Sequence, residues 1–70
     1  MKATTLTTIY GAIKRAARER DYYWTTFAPD HPDRTKVYNL NNHIVNDLIQ
    51  EYKTNGGRRD VRQFEAEDRR

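Results

Sequence analysis

Tyr22-Tyr23-Trp24-Thr25-Thr26-Phe27-Ala28-Pro29-Asp30-His31-Pro32-Asp33-Arg34-Thr35-Lys36-Val37-Tyr38-Asn39-Leu40 is the stretch on which the fold turns. Its first six residues and its last six are rich in β-branched and aromatic types, the composition of strands. Pro29-Asp30-His31-Pro32-Asp33 between them is turn chemistry, with two prolines that cannot donate to a ladder. Read by propensity, the stretch is an antiparallel β-hairpin over Tyr22–Phe27 and Thr35–Leu40 with a fairly long tip. Strand alternation sets Tyr22 and Trp24 on one face and Tyr23 and Phe27 on the other, with Tyr38 opposite.

On the N-terminal side, Leu6, Ile9, Tyr10, Ile13 and Ala17 recur at three- and four-residue spacing. That predicts an amphipathic helix from an N-cap at Thr4 or Thr5 to about Arg20. A different face of it gathers Thr7, Gly11, Lys14, Arg15 and Arg18. On the C-terminal side, Ile44, Val45, Leu48, Ile49 and Tyr52 predict a second helix over about 42–54, capped by Asn41 or Asn42 and ended by Asn55-Gly56-Gly57. Beyond it, Val61 and Phe64 either pin a short third helix on the core or lie in a frayed tail. The expected class is therefore α+β: helix, hairpin, helix and a terminal helix in reserve. Residues 1–57 form one small domain, and 58–70 form a charged tail or short docked helix.

At 70 residues and with no cysteine, the chain has neither a disulfide nor a thiolate metal site to help a small core. Self-association as a homodimer is one route to extra burial. No apolar run reaches the roughly 18 residues of a membrane span, and the first residues lack a secretory pattern. The expected setting is the cytoplasm. Formal charge is +3, and residues 1–40 alone carry a net +3, so the excess is N-terminal.

With no serine and no cysteine, the two commonest nucleophiles are missing. No base stands near any threonine, and a domain this small has little room for a pocket, so catalysis is not expected. Asp30, His31 and Asp33 invite a metal, but zinc sites usually draw four ligands from separate elements, and a solvated turn is the better reading. Gly56-Gly57-Arg58-Arg59 lacks the lysine–hydroxyl ending of a phosphate loop, so a helix cap is preferred. No cofactor is expected.

What remains is binding. Thr7, Lys14, Arg15 and Arg18 on the first helix, with Arg34 and Lys36 beside the hairpin tip, would suit double-stranded DNA through phosphate contacts. Against this, a charged helix face is often merely solvated, and a strand lysine often merely protects an edge. The aromatic residues Tyr22, Tyr23, Trp24 and Phe27 offer an alternative: a small inhibitor or adaptor, of phage type, docking on a larger host protein. A structural subunit of a larger assembly is a third option.

Thr8-Ile9-Tyr10, Ile13-Lys14-Arg15 and Lys36-Val37-Tyr38-Asn39-Leu40 together resemble part of a winged-helix DNA-binding domain, most closely that of PadR-like regulators, over about residues 5–53. The resemblance implies that the first helix is a recognition helix, that the hairpin is its wing, and that the chain has a role in transcription regulation. The chain departs from the family in having only four or five residues before that helix, where two core-forming helices are normal. A ribbon–helix–helix comparison, with Thr35–Leu40 as ribbon, ranks lower because Val61, Phe64 and Ala66 make a thin second helix.

Overall fold

A computed structural model describes the backbone of residues 3–66 and 69, and the side chains of residues 5–66 and 69. Two helices, α1 (Ala3–Thr26) and α2 (Arg34–Thr54), run antiparallel and are followed by a 3-10 turn at Arg62–Phe64. Tyr10 meets Tyr52, Arg20 meets Asn42 and Trp24 meets Tyr38, which fixes the register of the pair. Residues 58–66 and Arg69 return along the groove between the helices as a strap.

The expected α+β hairpin is overturned: among the described residues there is no strand. Tyr22–Thr26 extends α1, with Phe27 just past its end, and Thr35–Leu40 opens α2, which begins at Arg34 instead of near Asn42. The physical reason is tertiary. Tyr23, Trp24 and Phe27 also satisfy helical spacing, and in that form Trp24 stacks edge-on to Tyr38 at 5.1 Å while Tyr23 stacks on Phe27 one turn on. Tyr38, Asn42, Val45, Ile49 and Tyr52 make one buried stripe along α2, a periodicity that strand alternation would have split. Propensities spanning about 1 kcal/mol are easily overridden by such packing.

Other expectations fare differently. Thr4 and Thr5 lie inside α1, which is already helical at Ala3, so neither is its N-cap. Asn41 and Asn42 sit within α2 and do not cap it. The proline segment does form the connection: Pro29 cannot continue a helix, and the backbone N–H groups of His31 and Arg34 donate to Ala28 and His31 carbonyls. At the far end Gly56 takes φ +89° and Gly57 lies against the Tyr52 ring, closing α2. Of the segment after Gly57, Glu67, Asp68 and Arg70 lie outside the described residues. Val61 is buried in the core with Ile9, Ile13, Ala17, Val45, Ile49 and Tyr52, and Phe64 packs against it.

The molecule is long, 44 × 17 × 15 Å, with a radius of gyration of 13.2 Å. A compact chain of this length would have about 11 Å. Its accessible surface, 5190 Å², likewise exceeds the roughly 4,600 Å² usual for a monomer of this mass.

Candidate nucleic-acid interface

The apolar stripe of α1 faces α2, so the residues about half a turn round face away. Thr7, Lys14, Arg15 and Arg18 are all exposed on that outward side. None of the three cations forms an ion pair with a described residue. The nearby acids do little to quench them. Asp21 is held by the Arg20 guanidinium at 3.0 Å, and Glu19 stands on an adjacent edge. Gly11 lies among these residues. A Cβ there would meet only the Arg15 Nη1, at an ordinary 3.8 Å, so nothing within the chain requires its bareness.

The remaining predicted residues are dispersed. Arg34 is half-buried at the end of α1. Its Nε donates to the Trp24 carbonyl at 2.8 Å and its guanidinium lies 3.7 Å over the Trp24 ring. Lys36 is exposed on α2, near the connection between the helices. The wing on which both were to act is absent among the described residues, and both stand on α2 instead of on the helix that carries Lys14, Arg15 and Arg18. The aromatic set divides too. Trp24 is covered by Arg34, by Arg69 at 4.3 Å and by Tyr38. Tyr23 and Phe27 are half-buried, while Tyr22 is 60% exposed on the outward side of α1. His31 Nδ1 accepts the Asp33 N–H, and its ring lies 4.6 Å from Phe27. Among the described residues no three metal-ligating side chains converge.

Two arginines that sequence reasoning passed over join the cationic surface. Gly56-Gly57 turns the chain back so that Arg58 and Arg59 line a cavity of about 360 Å³ with Leu6, Thr7, Tyr10 and Tyr52. The Arg59 guanidinium sits 4.9 Å over Tyr10, and the Arg59 backbone N–H donates to the Tyr52 hydroxyl. Tyr10 is one turn before Lys14 on α1, so the positive surface runs from Arg58 past Lys14 to Arg18. The signal was the Arg-Arg pair after the glycines, and its direction was set by the strap. Arg62 does not contribute. Its side chain donates to Asp60 at 3.0 Å, a contact that holds the Asp60 carboxyl below its ordinary range and the Arg62 guanidinium above its own.

The arrangement is inward-looking elsewhere. Arg20, 4% exposed, donates from Nη1 to the Asn42 Oδ1 at 2.9 Å and to the Phe64 carbonyl at 2.7 Å. Asn42, with no exposure, donates to the Ala66 carbonyl at 3.0 Å. Arg20 and Asn42 therefore tie the strap to both helices and serve the fold. Comparison with family models, with curated proteins and with solved structures finds no match to this chain. No helix among the described residues is long and apolar enough to cross a membrane.

Proposed function

We propose that the chain binds nucleic acid, duplex DNA first, through the outward side of α1. Lys14, Arg15 and Arg18 would meet phosphates, Arg58 and Arg59 would extend the contact, and Thr7 and the bare Gly11 would allow close approach. The observation that carries this reading is the exposure of three cations on one helix side without an acidic partner among the described residues. A helix of 24 residues is about 36 Å long, enough to follow a groove or a backbone over a helical turn. The place of action under this reading is the cytoplasm, and the role is regulatory or accessory, not catalytic. Docking on a larger protein has less to draw on. Trp24 is covered, and Tyr22 is the one aromatic among those candidates that stands exposed.

Each neutralised duplex phosphate contributes a slope of about −0.9 to log K against log salt. Three contacts predict that raising salt from about 50 to 200 mM weakens binding roughly 40-fold. Replacing Lys14 and Arg18 together with alanine should flatten the slope by about 1.8. Fluorescence anisotropy on a labelled duplex reads both. Absence of any binding at low salt would end the proposal.

A further inference from the structure

The strap covers one side of the helix pair only. Asn39, Asn42 and Lys53 of α2 and Tyr10, Arg20 and Trp24 of α1 all engage it. At 100° per residue, the opposite side presents Ala12, Ala16 and Tyr23 from α1 and Val37, Ile44 and Leu48 from α2. Ile44 is 45% exposed and Leu40, one turn before it, 62%, so two large aliphatic side chains stand together on one helix.

We propose that this uncovered side docks a second copy of this chain, giving a four-helix bundle about a two-fold axis parallel to the helices. Charge selects both the occupant and the axis. The register set by Tyr10–Tyr52, Arg20–Asn42 and Trp24–Tyr38 puts position 15 level with position 47. Arg15 borders the uncovered side on α1, while Glu51 and Asp47 border it on α2. A two-fold parallel to the helices lays α1 of one copy on α2 of the other without changing levels. Arg15 then meets Asp47 and Glu51 of the second copy, and symmetry repeats the match on the other flank. A two-fold across the helices would lay α1 on α1 and set the basic flanks together. Glu19, also on this edge, lies level with position 43, a histidine, and one turn from Asp47, so it offsets part of the attraction, while Arg15 faces Asp47 at its own level and Glu51 one turn away.

Shape agrees with charge. Ala12 and half-buried Ala16 form a low shelf, and Ile44, level with position 18, would project beside that shelf as a knob, flanked by Leu48, which also packs on the core of its own chain. The helix pair, about 31 Å long over α2 and 17 Å across, offers about 500 Å² per partner, at the lower end of what specific interfaces bury. Lys14 and Arg18 point away from this side, and Arg15 stands on the border of the two surfaces.

Sedimentation equilibrium of the full chain without nucleic acid tests the proposal independently of the nucleic-acid reading. The expected result is a reversible dimer of twice 8.4 kDa over the micromolar range. Ile44→Glu should raise the dissociation constant at least about tenfold while far-ultraviolet circular dichroism stays helical. Arg15→Glu and Asp47→Arg should each weaken the dimer about tenfold, and the two together should restore it to within about threefold of wild type. A monomer at every concentration would overturn the proposal, as would a dimer indifferent to Ile44→Glu or a charge reversal that fails to restore.

Discussion

Arg20 shows how a single side chain can be read correctly as charged and wrongly as solvated. Its guanidinium is satisfied by Asn42, by the Phe64 carbonyl and by Asp21, with the Tyr38 ring 5.6 Å away. Removing it leaves a buried amide and a carbonyl without their donor. Arg20→Ala should therefore cost about 2–4 kcal/mol in urea unfolding, while Arg18→Ala two positions earlier should cost less than about 0.5 kcal/mol. Glycines divide by the same logic. Gly57→Ala would drive a Cβ into the Tyr52 ring, whereas Gly56→Ala meets no atom and suffers only its positive φ. The first should lower the unfolding free energy by about 1–3 kcal/mol and the second by about 1 kcal/mol. Gly11→Ala should instead stabilise by about 1 kcal/mol, the helix propensity gained. If that variant also binds DNA more weakly, the bare position is a contact.

Among the elements, the strap depends most on the rest of the chain. It has a single 3-10 turn of its own and is held by Val61 in the core, Phe64 on Tyr10, the Arg20 and Asn42 bonds, and Asn39 bonding Arg69. A charge at its anchor should release it. Val61→Asp is expected to cost about 3 kcal/mol and to expose Arg20 and Asn42, read as accelerated amide hydrogen exchange along the inner faces of both helices. Unchanged exchange there would show that the helix pair holds without its strap. The two helices were legible in part: the stripes Ile9–Ala17 and Val45–Tyr52 are helical in sequence and in structure. Their meeting ends were not, because Tyr22–Phe27 and Thr35–Leu40 favour strand locally, and Tyr22–Thr26 and Thr35–Leu40 turn helical only when Trp24 finds Tyr38 and Arg34.

The whole molecule is a long helix pair with three unlike sides. One carries the strap, one the outward cations of α1, and one the uncovered apolar residues. The loss of salt slope on replacing Lys14 and Arg18 and the loss of the dimer on Ile44→Glu each address a different side, with Arg15 shared at the border, so either can fail alone. From the sequence by itself came the proline turn at Pro29–Pro32, the glycine stop at Gly56-Gly57, the two core stripes save for Ile44, which stands exposed, and the outward grouping of Lys14, Arg15 and Arg18. All of these rest on relations within a few residues, which spacing and backbone chemistry express directly. Only the tertiary structure decided that the aromatic stretch is helical, that Arg34 caps α1 and leaves the basic surface, and that Arg20 is buried. Each of those depends on a partner ten to forty-four residues away, and local preference carries no information about a group that distance brings near only once the chain has folded.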